Sequence, residues 1–268
     1  MRRLEPQVFL VGETHLNYYG MEEYFKHINA TKWYEDNIWH TSTGIVGKAT
    51  EAEKLIEVMG RLCYKSFSKE LNANLTKVRE GNDVYLANII KVAHGSVIEH
   101  SMTNWIFADV SRVFTAELCR HRAGTAISEC SLRFVRLTDL GLWLPDNINA
   151  DPELVKLFES TFKNLEELQL KLADYLKLDE AKDFGYKKEM TSAMRRLAPL
   201  GLATTIGFSM NFRALRHIIE MRTSKHAEAE IRFVMDKVAT IAKERWPNIM
   251  QDFSRNEHCE WVTENSKI

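Results

Sequence analysis

Apolar and polar positions follow two different periods along this chain. Val8-Phe9-Leu10-Val11 is a short apolar run that predicts a buried strand, followed by an aromatic, polar segment through Trp39. From Thr50 to Tyr64, the apolar residues Leu55, Ile56, Met59 and Leu62 recur at helical spacing. Thr50, with Glu53 three residues on, predicts an N-cap closed by a capping box. Ser101 to Val110 alternates like a strand, and Ser111 to Arg122 then reads as a helix carrying Val113, Phe114, Ala116 and Leu118. Asp151-Pro152-Glu153 is a helix start, and that helix is expected to run to about Leu178. Its stripe Leu154, Leu157, Leu165, Leu168 and Leu172 is expected in the core. Ser192 to Trp246 reads as helical and is stopped by Pro247. Five prolines and twelve glycines favour long helices over many short strands. The expectation is a single helix-dominated α+β domain. Within it residues 1–45 read apart, as an N-terminal extension of unknown role, from 46–268.

A chain of 268 residues can bury a substantial core. With 36 basic and 37 acidic side chains its net charge is −1, which argues against a protein whose main business is holding nucleic acid or an anionic membrane. No apolar run approaches the roughly 18 residues of a spanning helix, and Met-Arg-Arg-Leu-Glu-Pro lacks the apolar region of a signal peptide. A cytoplasmic protein without membrane or nucleic-acid partners is therefore expected. Cys63, Cys119, Cys130 and Cys259 show no CxxC pairing, so neither a disulfide framework nor a zinc site is expected, and His258-Cys259 reads as ordinary tail. No metal is expected.

Three stretches are too polar for the elements they sit in. His94-Gly95-Ser96-Val97-Ile98-Glu99-His100 reads either as a helix start with Ser96 as cap and Glu99 completing a capping box, or as a ligand site at that start. Arg120-His121-Arg122 closes a helix and is followed by a small-residue loop, Ala-Gly-Thr-Ala-Ile, before Ser128-Glu129-Cys130-Ser131-Leu132-Arg133. Guanidinium donors beside a glycine suit a phosphate-bearing ligand; alternatively the cations complement the helix dipole. Glu117 is spaced to pair with Arg120 and His121. Finally, Arg213 and His217 are four apart, as are Arg222 and His226, and the pairs are nine apart. One helix would then be cationic on two sides. An oligomer could bury both sides in ligand sites; a basic surface helix answered by Glu220, Glu228 and Glu230 is the plainer reading.

Together these stretches resemble the flavin-dependent thymidylate synthases. The family's Arg-His-Arg signature matches Arg120-His121-Arg122 leading into Glu129-Cys130-Ser131-Leu132-Arg133-Phe134, and His94 to His100 is similar to its upstream His/Ser/Glu segment. Met194-Arg195-Arg196-Leu-Ala-Pro199 and Asn211-Phe-Arg213 through Arg232 are similar to its C-terminal helices. The likeness runs from about Thr50 to Pro247.

The resemblance implies helices packed around an antiparallel sheet, a homotetramer with FAD at the subunit interfaces, NADPH as reductant, methylenetetrahydrofolate as carbon donor and dUMP as substrate. It implies flavin contacts at His94, Ser96, Glu99, Arg120, His121, Arg122, Glu129, Asn211, Arg213, His217 and His226. It places the nucleotide against Glu117, Arg120, Glu129, Ser131, Leu132, Arg133, Arg195 and Arg222. Arg222 is the implied catalytic residue, holding the uracil and favouring ionisation at N3. No cysteine attack is implied, so Cys119 and Cys130 read as packing residues. The chain departs from the family in four places. The loop after Arg122 carries one residue more than the signature, Thr125 stands where a serine is usual, Phe134 replaces a tyrosine, and Glu117 replaces a glutamine. Two further readings stay open: the same fold acting on UMP or dCMP, and a non-catalytic helical protein that binds nucleotide or RNA.

Overall fold

The computed structural model describes residues 1–39, 49–133, 137, 139–266 and 268; Phe134 lies outside them. In chain order the elements are β1 (Arg2–Arg3), β2 (Gln7–Glu13), α1 (Tyr18–His27), α2 (Thr31–Tyr34), α3 (Glu51–Leu62), α4 (Asn82–Lys91), β3 (Met102–Ser111), α5 (Arg112–Leu118) and β4 (Thr125–Glu129). They continue as β5 (Gly141–Leu142), α6 (Asp146–Asn149), α7 (Pro152–Tyr175), α8 (Phe184–Met194), β6 (Ala203–Asn211), α9 (Phe212–Thr223), α10 (Ala229–Arg245), β7 (Ser254–Arg255) and β8 (Trp261–Val262). Short 3-10 turns span Gly95–His100 and Arg195–Leu197.

The central sheet has the order β2-β3-β6-β4, each pair antiparallel. Period-2 alternation in β3 and β6 sends Trp105, Phe107, Ile206, Phe208 and Met210 to one face, where they are buried against α3, α5, α9 and α10. Each large apolar side chain so buried contributes about 1.5–3 kcal/mol. Trp246 closes this core edge-on to Trp105, with ring centroids 6.2 Å apart. Thr50 and Glu53 form the expected capping box. Glu53 goes further: its second oxygen accepts from the backbone of Asn248 and Ile249 at 2.8 and 3.1 Å, tying α3 to the segment after α10.

Several expectations are corrected. Val8–Val11 does form a strand, yet a half-buried one, because β2 is an edge strand with Phe9 and Val11 turned outward at 49% and 56% exposure. The segment before residue 45 thus contributes a strand to the central sheet, and Phe25, Tyr34 and Ile38 form a second core with Val58 and Phe67. Ser192 to Trp246 is not continuously helical: β6 lies inside it, its β-branched and aromatic residues alternating against β3. The small-residue segment after Arg122 is largely strand β4, not loop, since β6 offers it an open edge. On α7 the buried residues are Phe162, Gln169 and Ala173, whereas Leu154, Leu157 and Leu168 face out; the helix covers only the small core around Leu140, Leu142 and Leu202. Of the two cysteines read as packing, Cys119 packs against the main core and Cys130 is exposed.

Candidate active site

Ser111 ends β3 and caps α5, its hydroxyl accepting from Val113 and Phe114 N–H. Asn211 ends β6 and caps α9, its side chain accepting from Ala214 N–H at 2.9 Å. Since β3 and β6 are antiparallel, with Met102 opposite Asn211 and Ser111 opposite Ala203, the two helices start at opposite ends of the sheet. α5 is only seven residues long, so the expected helix through Arg122 stops at Leu118, and Arg120-His121-Arg122 is the turn that leads to β4. That turn comes to the end where α9 begins and where the 3-10 turn Gly95–His100 enters β3.

The residues from Glu117 to Gly124 run antiparallel to α9. Asn211 N–H donates to Gly124 C=O at 3.0 Å. The His121 and His217 rings lie 5.9 Å apart, edge to face. Arg222 donates from Nε to His121 Nε2 at 2.7 Å, from Nη1 to Glu117 Oε2 at 2.5 Å and from Nη2 to the Glu117 carbonyl at 3.1 Å. Gly124 has φ +69°, and a Cβ there would stand 2.4 Å from Asn211 Nδ2, so the approach requires glycine. Gly95 is less constrained, a Cβ there meeting Arg213 Nε at 2.8 Å on a side chain that can move.

His121 accepts through Nε2, so its proton sits on Nδ1. Burial first, and then the neighbouring Arg222, His217 and Arg120 side chains, push its pKa from 6.5 down to about 4. It is therefore neutral at pH 7 and leaves the positive charge on Arg222, whose side chain is 11% exposed. Glu117 answers that charge. Its contact with Arg120 is 4.0 Å, so the partner expected from helical spacing is secondary to Arg222, 105 residues away.

The other candidates divide between this cluster and its surroundings. Among the described residues Ser96 makes no cap; the Gly95–His100 turn lacks a side-chain cap, and Glu99 instead pairs with Arg213 at 2.6 Å. His94, Ser96, Arg120, Arg122, Arg213 and His217 are all exposed around the cluster. His226 is exposed too, but α9 ends at Thr223, so the expected single helix with two cationic sides is broken before it. Arg216 on the buried side of α9 serves folding: its guanidinium bonds both oxygens of Asp252 at 2.7 and 2.8 Å. Glu129, at the end of β4, is held by Arg112 at 2.8 Å, a pairing the sequence did not signal. Ser131 accepts from Arg133 N–H. Leu132 packs on the small core around α7, and Arg195 is exposed at the end of α8. Arg133 lines a cavity of about 460 Å³ with Lys188 and Arg196. Among the described residues no hydrogen bond or ion pair joins Ser131, Arg133 or Arg195 to Arg222. One chain thus presents two cationic groupings, one on the α9 side and one on the α8 side.

No helix of the described residues is long and apolar enough to cross a membrane. The family model described as thymidylate synthase complementing protein matches residues 45–248. The chain is 34% identical over 209 residues to the flavin-dependent thymidylate synthase of Corynebacterium diphtheriae, covering 76% of this chain and 80% of that one. It is 35% identical over 207 residues to the enzyme of the same name from Mycobacteroides abscessus, covering 74% and 78%. Among solved structures it is similar to the UMP/dUMP methylase PolB of Streptomyces cacaoi, with a TM-score of 0.62 at 13% identity over 94% of this chain and 95% of that one. It is also similar to thymidylate synthase X of Helicobacter pylori with FAD and dUMP, with a TM-score of 0.51 at 21% identity over 74% and 90%. At those identities the structures speak for the fold, an α+β arrangement on an antiparallel sheet. The sequence relatives and the family match speak for descent: the chain belongs to the flavin-dependent thymidylate synthase family.

Proposed function

We propose that this protein converts dUMP to dTMP as a cytoplasmic, FAD-dependent homotetramer, with methylenetetrahydrofolate as carbon donor and NADPH as reductant. The observation that carries the reading is the convergence of three segments far apart in sequence. The Gly95–His100 turn meets α9 at Gly95 and Arg213, the Arg120–Arg122 turn meets it at His121 and Arg222, and Gly124 meets it at Asn211. The donor set fits a dinucleotide. Arg120 and Arg122 present guanidinium groups to solvent, His217 and His226 add imidazoles, and Gly95 and Gly124 let their backbones lie directly against Arg213 and Asn211. When bound, FAD supplies hydride chemistry. His94, Ser96, Glu99, Arg120, His121, Arg122, Asn211, Arg213, His217 and His226 would hold it.

The chain's own part in the reaction is electrostatic. A guanidinium fixed by two hydrogen bonds and a neutral imidazole is a preorganised partner for the negative charge that develops on a uracil ring losing its N3 proton. Glu117 moderates that partner, because its carboxylate shares the Arg222 charge. The α8-side residues Ser131, Arg133 and Arg195 complete the nucleotide pocket from another copy of the chain. Support for an assembly comes from surfaces that one chain leaves bare: Phe9, Ile106 and Met102 on the outer sheet face and Leu157 on α7, which is 62% exposed.

The test is anaerobic. The FAD-loaded protein is reduced and offered methylenetetrahydrofolate with dUMP, UMP or dCMP in turn. dTMP formed from dUMP alone is expected. Turnover of UMP or dCMP instead would establish the second reading, which keeps the fold and the flavin. A protein that takes up no FAD and binds polyanions with steep salt dependence would overturn both.

A further inference from the structure

A cavity of about 790 Å³ opens between the start of α10 and the two ends of the chain, walled by Arg3, Trp143, Arg232, Phe233, Arg255 and His258 among others. None of the residues clustered around Arg222 and His121 lines it. Arg3, Arg255 and His258 all lie outside the residues 45–248 that the family model matches, so this chain's own terminal segments complete the cavity. Its volume lies within the range of small-molecule sites, ~300–1,000 Å³.

We propose that this cavity is a second ligand site, specific for a small organic anion with a flat ring, of the nucleoside monophosphate class. The anionic half follows from Arg232. Among the described residues its buried Nε has no hydrogen-bond partner and the guanidinium has no carboxylate partner. A buried cationic donor without an acceptor is unfavourable, and a phosphate entering the cavity removes that cost with bidentate hydrogen bonds. Arg3 is similarly available: among the described residues its guanidinium bonds only the neutral amide of Asn149. The acidic wall residues are already committed. Asp236 is bonded to Arg255 and Trp261, and Glu5 to Lys237. Asp146 sits in the first turn of α6, where free backbone N–H groups offset its charge.

The flat half follows from Trp143 and Phe233. Their rings stack with centroids 5.9 Å apart at an angle of 23°, and both rings line the cavity. Lys237 stands over the other aromatic partner, 4.3 Å from the Phe233 ring centre. A half-buried aromatic pair next to two guanidinium groups that have no carboxylate partner among the described residues offers a base a face and its phosphate a pair of forks.

Calorimetry on the FAD-loaded protein saturated with dUMP, so that the first site is filled, tests this with GMP as the probe. GMP is expected to bind with a Kd on the order of 10–100 μM. Guanosine and inorganic phosphate are each expected to bind at least about tenfold more weakly, since each supplies half of the contacts. Arg232→Gln is expected to weaken GMP about tenfold or more while thermal midpoint and dTMP formation stay unchanged. Arg3→Gln gives a second, smaller loss should Arg232→Gln fail to fold. Absence of GMP binding at millimolar concentration, or binding equal in both variants and the parent, would overturn the site. Guanosine as tight as GMP would overturn the role of the arginines, and phosphate as tight as GMP would overturn that of the rings.

Discussion

Arg222 and Glu117 form an ion pair at 2.5 Å across 105 residues of sequence, and the Arg222 Nε in the same geometry reaches His121. The pair is partly buried, with side chains 11% and 30% exposed, so water screens it less than a surface bridge. A nucleotide that needs the Arg222 guanidinium must share it with this carboxylate. Glu117→Gln keeps an acceptor for Arg222 and removes the charge. The dissociation constant for dUMP is expected to fall about 3- to 10-fold, the equivalent of roughly 1 kcal/mol. Calorimetry on the FAD-loaded protein measures it, and unchanged or weaker binding would make Glu117 a structural partner of Arg222 only.

Removing the guanidinium itself is more severe. Arg222→Ala is expected to lower turnover by about 100-fold or more, the scale on which a preorganised charge partner contributes. Flavin content should be largely retained, because Arg213, Arg120 and Arg122 are separate from Arg222. Wild-type turnover in this variant would remove the proposed uracil role.

His121 sets a pH dependence whose sign is fixed by burial and by Arg222. The folded state holds its pKa at about 4, below the ordinary 6.5, so the unfolded chain binds the proton more readily. The stability linked to this group is complete above pH 6.5 and is lost as pH falls through about 4. Histidine-selective NMR should show one ring with Nδ1 protonated that stays neutral at pH 6 and titrates near 4. A midpoint near the ordinary value would mean that Arg222 does not hold His121 in solution.

Gly124 lets the signature turn touch α9. Gly124→Ala forces a Cβ to within 2.4 Å of Asn211 Nδ2 at φ +69°, and Asn211 caps α9. A loss of about 1–3 kcal/mol in stability is expected, with weaker FAD retention, measured by urea unfolding and by flavin content after dialysis. Full stability and full flavin content would show that the close approach is dispensable.

Arg216 and Asp252 anchor α9 from behind. Asp252→Asn leaves a nearly fully buried guanidinium without its counter-charge, which should cost about 3–5 kcal/mol in denaturant unfolding. Hydrogen bonds and charge from Arg216 hold the Asp252 pKa at about 2, below the ordinary 3.8. The pair's contribution is therefore present above pH 3.8 and is lost as pH falls towards 2. Stability that is flat across that window would contradict the pairing.

The residues themselves were sufficient for what local interactions decide. Helical spacing and a Thr/Glu pair marked α3 and its capping box, Asp151-Pro152 marked the start of α7, and alternation marked β3. The Arg120-His121-Arg122 motif and its companions marked the family, because motif order and spacing are carried by the chain alone. Only the tertiary structure decided what depends on partners distant in sequence. A short segment with single Ile, Phe and Met residues among small and polar ones sits between two helical patterns, and β6 became a strand because β3 and β4 supplied its hydrogen bonds. The leucine stripe of α7 has the right period, yet the small core beneath it takes Phe162, Val155 and Leu165 and leaves Leu154, Leu157 and Leu168 exposed. Arg213 and Arg216 look alike in sequence; α9 turns the first to solvent and the second into the core against Asp252. Glu117 was within reach of Arg120 along its helix, but the antiparallel passage of α9 brought Arg222 closer, and proximity in a partly buried site decides which charge a carboxylate answers.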